Sequence, residues 1–167
     1  FRAAMERAGL AAAGKKALVL GSGGTSATVR AALADMGARE IVTVSRRGPV
    51  RYGDLAAHAD AQLIVNTTPV GMYPDTGISP VDLSVFPGLQ GVMDVIYNPL
   101  RTALLLSAQD LGVPCANGLY MLVAQAARAA RLFTGGGADE SLAEPVYRKL
   151  ARDVSNIVLI GMPGCGK

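Results

Sequence analysis

Gly21, Gly23 and Ser26 stand in a G-x-G-x-x-small spacing within Leu20-Gly21-Ser22-Gly23-Gly24-Thr25-Ser26-Ala27. A glycine at the first position permits a tight turn, and one at the second lets the backbone approach a pyrophosphate. A small third residue lets the following helix pack on the preceding strand. The amino end of that helix would then offer free N–H groups and a partial positive charge to phosphate oxygens. Further on, Thr43-Val44-Ser45-Arg46-Arg47, followed by Arg51, places guanidiniums where binders of unphosphorylated dinucleotides carry an acid. A carboxylate would repel a ribose 2′-phosphate, whereas planar guanidiniums grip one. Loop and arginines together point to NADP rather than NAD. An ordinary glycine-rich turn beside a solvated basic turn is the alternative without chemistry.

A second phosphate-type motif closes the chain. Gly161-Met162-Pro163-Gly164-Cys165-Gly166-Lys167 reads G-x-x-x-x-G-K after the apolar run Ile157-Val158-Leu159-Ile160. Such a loop cradles phosphates with backbone N–H groups and reaches them with its lysine. The Ser or Thr that would hold magnesium does not follow, because Lys167 is the last residue. Cys115, Cys165 and His58 are too few and too far apart for a structural zinc site. His58 lies in an Ala-rich, helix-like stretch and reads as a surface histidine, and Cys115 as a buried strand thiol.

These motifs need elements to hold them. Ala17–Leu20 is a short apolar run of the kind buried on both faces of a sheet, and Ile41–Val44, Leu63–Val65 and Gly91–Val95 read as three further strands. Val29, Ala32, Leu33 and Met36 recur at helical spacing before Gly37. A second helix is expected over Thr102 to Leu111, and a third carries an apolar stripe of Leu119, Leu122, Val123, Ala126, Ala130 and Phe133. A last one spans Glu144 to Arg152. Met121 and Gln125, four residues apart, share a helix face distinct from that stripe. Alternating strands and helices predict an α/β fold: a Rossmann-like, doubly wound parallel sheet with helices on both faces.

Composition sets the outer bounds. The 167 residues are 50% hydrophobic and 17% charged, which excludes wholesale disorder. A net charge of +3 is too small to imply a nucleic-acid partner. No apolar run reaches ~18 residues, so no membrane partner is expected. Two cysteines do not make a disulfide framework, which points to a reducing, cytoplasmic compartment. Phe1 stands where an initiator methionine would be, as in a piece of a longer protein.

Five segments in order resemble shikimate dehydrogenase. The glycine loop is similar to that family's nucleotide loop, and Ser45-Arg46-Arg47 to its N-R-T phosphate clamp. Asn66-Thr67-Thr68-Pro69-Val70-Gly71-Met72 resembles its N-A/T-T-P-x-G-M motif. Asp94-Val95-Ile96-Tyr97-Asn98-Pro99, with Thr102 and Leu104-Leu105, resembles its D-x-x-Y-x-P-x-x-T-x-L-L segment. Asn117-Gly118-Leu119-Tyr120-Met121-Leu122-Val123-Ala124-Gln125 resembles its N-G-x-x-M-L-x-x-Q helix. The resemblance covers residues 1–152 and implies NADPH-dependent reduction of 3-dehydroshikimate to shikimate. It implies that Gly21, Ser22, Gly23, Gly24 and Thr25 cradle the pyrophosphate, with Ser26 at the helix entry. Ser45, Arg46 and Arg47 would hold the ribose phosphate, and Arg51 is a candidate second clamp residue one position out of step. Thr67, Thr68 and Pro69 would line the cofactor trough, Val95 and Gly118 would contact the nicotinamide side, and Met121 would pack near the ring. Tyr97 and Gln125 would reach the substrate, although a packed tyrosine and a surface glutamine are the readings without the motif.

The family's catalytic Lys and Asp belong to an amino-terminal domain. The lysines here are Lys15, Lys16, Lys149 and Lys167, none in that motif, and no catalytic residue is assigned. Residues 1–10 resemble the helix that follows the catalytic Asp, so the chain is expected to begin just after that half. The missing half would be a partner of this one, and its loss makes a homodimer plausible. The closing motif resembles the start of shikimate kinase, which makes 153–167 the truncated opening of a P-loop domain in a dehydrogenase–kinase fusion. Three other readings stay open: a non-catalytic NADP-binding module, another NADP-dependent Rossmann reductase, and a nucleotide kinase.

Overall fold

Lys16–Leu20 (β1) is an inner strand of a five-stranded sheet in the computed structural model, which describes residues 1–135 and 140–155. The other strands are Glu40–Val44 (β2), Leu63–Asn66 (β3), Gly91–Asp94 (β4) and Cys115–Ala116 (β5). All neighbours pair in parallel, in the order β2-β1-β3-β4-β5. Strands β1, β3 and β4 are buried at every position, which is why their sequences run apolar instead of alternating.

The period-two alternation of side chains still divides the core. Leu18, Leu20, Ile64 and Val92 face one side, where they meet Leu55, Leu83, Phe86 and Leu104, Leu105 and Ala108. Ala17, Val19, Leu63, Val65 and Met93 face the other, against Ala4, Met5, Val29 and Leu33. The helices on these faces are Arg2–Arg7 (α1), Gly24–Asp35 (α2), Ala103–Asp110 (α3) and Leu119–Phe133 (α4), with Ala143–Asp153 (α5) outside α4. Each large apolar side chain buried here contributes roughly 1.5–3 kcal/mol. Cutting Leu18 to Ala would cost roughly 2–5 kcal/mol, because a sheet core between two helical layers cannot close over the gap.

The fold is the doubly wound α/β sheet that the alternation predicts. The chain leaves β1 towards β2, then returns to place β3 on the opposite side of β1. The connections therefore diverge at the carboxyl ends of β1 and β3. Open α/β sheets bind ligands at that divergence.

Three sequence expectations change. The apolar stripe on α4 is only partly core: Leu119 and Val123 are buried, but Ala126 and Ala130 are exposed, Leu122 is 39% exposed and Phe133 91%. The helix turns Tyr120 and Met121 towards the core as well, so the core-facing side is rotated towards the face assigned to Met121. The Ala-rich stretch around His58 is a 3-10 helix, Tyr52–His58, and the histidine is half-buried with an unpartnered Nδ1. Cys115 is half-buried in a two-residue strand, and burial pushes its thiol pKa up. The closing phosphate motif, Cys165 and the strand expected over 157–160 lie outside the described residues. Among the described residues no helix is long and apolar enough to cross a membrane.

Candidate functional site

A trough of about 800 Å³ opens at the divergence of β1 and β3. Gly21, Ser22 and Gly23 form one wall, Ser45, Arg46 and Arg47 the end nearest β2, and Thr67, Thr68 and Pro69 the opposite wall. Three sequence segments about twenty residues apart thus meet because their strands are adjacent in the sheet.

The glycine turn is shaped by its neighbours. Gly21 has φ +106°, a left-handed conformation that side chains resist, and its N–H donates to the Val44 carbonyl at 2.8 Å. A side-chain carbon there would stand 2.8 Å from Thr67 Oγ1. Gly23 precedes α2 with extended backbone, and no side chain caps the helix. No acid occupies the first turn of α2 either. Its free N–H groups are therefore open to an anion, with the helix dipole behind them. Ser26 is buried under the helix entry, where a larger residue would lift α2 off the sheet; Gly24 and Thr25 are exposed on the first turn.

The basic end is built as a tight loop. Ser45 N–H donates to the Val50 carbonyl at 3.0 Å, and a side chain on Gly48 would collide with Ser45 Oγ. This closure projects Arg46 and Arg47 outward, both exposed. Among the described residues neither arginine is held by a carboxylate. Arg51 instead starts the Tyr52–His58 helix, its N–H donating to Asp54 Oδ2 at 2.8 Å, and it is not part of the trough lining. Tyr52 takes that place. Burial pushes its phenol pKa up while nearby Arg46 pulls it down. Val70, Ser79 and Pro80 complete the lining. Tyr52 directly follows the arginine that the sequence put forward, so the signal was present one residue away.

The wall at β3 is held by a buried polar network. Asn66 and Asp94 are the last residues of β3 and β4, and both are fully buried. Asn66 Nδ2 donates to Asp94 Oδ1 at 3.1 Å, and Thr102 Oγ1 donates to Asp94 Oδ2 at 2.7 Å. Asn66 Oδ1 accepts from the Thr68 N–H at 3.0 Å and the Thr68 hydroxyl at 2.7 Å. Burial raises the Asp94 carboxyl pKa, opposed by the donors from Thr102, Ile96 and Asn66. Thr67 Oγ1 donates to the Leu20 carbonyl at 2.6 Å, which ties the same wall to β1. A polar residue ending an otherwise apolar strand is the sequence signal for this network.

Val95, Gly118 and Met121 sit beyond the trough. Val95 is half-buried after β4, and buried Gly118 packs on its carbonyl at the start of α4. Met121 is half-buried against the core. Tyr97 is 49% exposed and Gln125 is exposed, on the β4 exit loop and α4 respectively. None of the described lysines, Lys15, Lys16 and Lys149, lines the trough: Lys16, at the amino end of β1 next to Lys15, is buried against Asp60 at 2.8 Å, and Lys149 on α5 pairs with Asp153.

No family model matches the chain. It is homologous to NADP(+)-dependent shikimate dehydrogenases. That of Clostridium perfringens strain SM101 is 34% identical over 163 residues, covering 90% of this chain and 60% of the relative. Among solved structures, shikimate dehydrogenase 1 from Peptoclostridium difficile superposes with a TM-score of 0.85 at 30% identity, covering 93% of this chain and 61% of that one. The shikimate 5-dehydrogenase of Thermus thermophilus, in complex with NADP(H) and shikimate, gives 0.74 at 34% identity, covering 89% and 60%. The chain thus spans about three-fifths of the length of these relatives.

Proposed function

We propose that this chain is the NADP-binding portion of a shikimate dehydrogenase, working in the reduction of 3-dehydroshikimate to shikimate. The observation that carries the reading is the trough, where the bare Gly21–Gly23 turn faces Arg46 and Arg47, which no carboxylate among the described residues holds. The residues present fit a 2′-phosphorylated dinucleotide. The open amino end of α2 suits the pyrophosphate, and the guanidiniums suit the additional phosphate. Homology to NADP(+)-dependent enzymes supports the same assignment.

In this reading, bound nicotinamide supplies the hydride. The chain's own residues position that chemistry and do not perform the proton transfer. Gly21, Ser22 and Gly23, with Gly24 and Thr25 at the helix start, hold the pyrophosphate. Ser45, Arg46 and Arg47 hold the adenosine phosphate, and Thr67, Thr68 and Pro69 confine the middle of the dinucleotide. Val95, Gly118 and Met121 border the nicotinamide, and Tyr97 and Gln125 contribute polar contacts to the substrate. The acid/base groups come from outside these 167 residues, a reading supported by the absence of any described lysine from the trough lining. By itself the chain is then a binding module. The assignment of 153–167 to a kinase-like P-loop rests on the sequence motif alone.

Fluorescence titration with NADPH and NADH tests the cofactor, and preference for NADH would overturn the arginine assignment. Assaying shikimate oxidation with and without an upstream dehydrogenase segment supplied in trans tests the division of labour. Turnover by this chain alone would refute it.

A further inference from the structure

Asp94 is fully buried at the end of β4, yet it touches three separate segments. Its Oδ1 accepts from Asn66 Nδ2 at 3.1 Å and from the Ile96 N–H at 3.1 Å. Its Oδ2 accepts from Thr102 Oγ1 at 2.7 Å, and Thr102 caps α3 through the Leu105 N–H at 3.4 Å. Each contact continues outward. Asn66 fixes Thr68 by two hydrogen bonds, and Thr68 Oγ1 in turn accepts from the Val70 N–H at 3.2 Å. The Ile96 carbonyl accepts from the Gly118 N–H at 2.9 Å. A side-chain carbon at Gly71, whose φ is +92°, would come within 3.7 Å of the Thr102 side chain. One carboxylate thus stands between the Thr67–Val70 wall of the trough and the Val95–Gly118 contact.

We infer that Asp94 is a positioning residue, which sets the Thr67–Val70 wall and the β4 exit at a fixed separation so that the two ends of a dinucleotide are held in register. A carboxylate is suited to this because both oxygens only accept, and here they meet donors from three segments. An apolar residue in its place would leave the Ile96 N–H without a partner in the interior and the Asn66 amide with only its long 3.5 Å donation to the Val70 carbonyl. The Thr68–Val70 part of the β3 exit loop would then lose the support behind Asn66, although Thr67 stays tied to Leu20, while the glycine turn and the Ser45–Arg47 loop keep their own anchors at Val44 and Val50. The inference rests on the nucleotide reading above.

The test compares two ligands on the full chain. NADPH spans the whole trough, whereas adenosine 2′,5′-bisphosphate reaches only the glycine turn and the arginines. Asp94→Ala is expected to weaken NADPH about tenfold or more, the scale of losing hydrogen bonds to a charged group. Binding of the bisphosphate should stay within about twofold. Asp94→Asn keeps one accepting oxygen for Asn66 and Ile96 and turns its NH₂ to the Thr102 hydroxyl, so it should recover most of the NADPH affinity. Equal losses for both ligands, or none for either, would overturn the positioning role. So would failure of the asparagine to restore binding. If Asp94→Ala does not fold, Thr102→Val provides the same comparison with one donor removed. Amide hydrogen exchange on the unliganded chain gives a readout without nucleotide: Thr68 and Val70 should exchange faster in the variant, and Leu20 and Val65 should not. A wild-type chain that binds neither ligand, with the exchange pattern as expected, would refute the nucleotide reading and leave Asp94 as a loop anchor only.

Discussion

Gly118 lies against the backbone carbonyl of Val95 so closely that a side-chain carbon at 118 would overlap it. The glycine is not there for an unusual conformation, since its φ of −77° and ψ of −5° suit any residue. Space alone demands it. The contact sets how near α4 approaches the end of β4, and the Gly118 N–H bond to the Ile96 carbonyl holds it there.

Gly118→Ala should therefore force α4 away from the β4 exit. The obstacle is backbone, which yields less than a side chain, so the cost should be at the upper end of the ~1–3 kcal/mol typical of overpacking. Thermal unfolding should show a melting point lower by several degrees, and NADPH affinity should fall with it. A variant as stable as the parent, with unchanged affinity, would show that the two backbones are not held in contact.

Gly21 and Gly23 should separate stability from binding. At Gly21 an alanine meets both a left-handed φ of +106° and Thr67 Oγ1 at 2.8 Å. Gly21→Ala should cost at least ~1 kcal/mol of stability. At Gly23 a side-chain carbon meets nothing within 4 Å and the backbone is extended, but the residue lines the trough. Gly23→Ala should melt like the parent and bind NADPH more weakly. Paired melting and titration measurements check this; a Gly23→Ala chain with full affinity would place the pyrophosphate elsewhere.

The sheet was legible in the sequence because β1, β3 and β4 are buried on both faces, and continuous apolar runs between turn residues leave few other readings. The glycine turn was legible for a related reason, since Gly21 and Ser26 answer to steric limits that residue type alone reveals. The side of α4 that faces the core was not. Leu122, Ala126, Ala130 and Phe133 look like core by spacing, and only the neighbours of the helix show that Tyr120 and Met121 take that role. The Asp94 network was half legible. Asn66 and Asp94 stood out in motifs, but their mutual contact depends on the pairing of β3 with β4, which no local pattern states.

Arg46 and Arg47 should set the dinucleotide preference. Each is exposed and free of acidic partners among the described residues, so a ribose phosphate would meet no competing carboxylate. Charge-assisted hydrogen bonds of this kind contribute about 1.5–3 kcal/mol each. Replacing both arginines with alanine should lower NADPH affinity by about a hundredfold or more and leave NADH nearly unchanged. Raising salt should weaken NADPH in the parent more than in the double variant. Parallel losses for the two dinucleotides would mean that the arginines hold the shared pyrophosphate instead.

Glu144 should make the packing of α5 on α1 and α4 sensitive to acid. Its carboxylate accepts from Arg7 at 2.9 and 3.1 Å and from Arg148 at 2.8 Å, while the Arg7 guanidinium also lies 4.1 Å from the Tyr147 ring centroid. The Arg7 hydrogen bonds, then that from Arg148, hold the Glu144 pKa at about 2 against an ordinary 4.5. As pH falls, the unfolded chain takes up a proton at this position before the folded chain does. The stabilisation is therefore fully present above pH 4.5 and is lost progressively as pH falls towards 2. Glu144→Gln removes the titrating group, so the gap in melting temperature between parent and variant should be constant near neutrality and close below pH 4.5. The pair is solvent-accessible, so the gap should be small and should narrow with added salt. A gap that stays constant down to pH 2 would mean that Glu144 does not titrate differently in the folded chain.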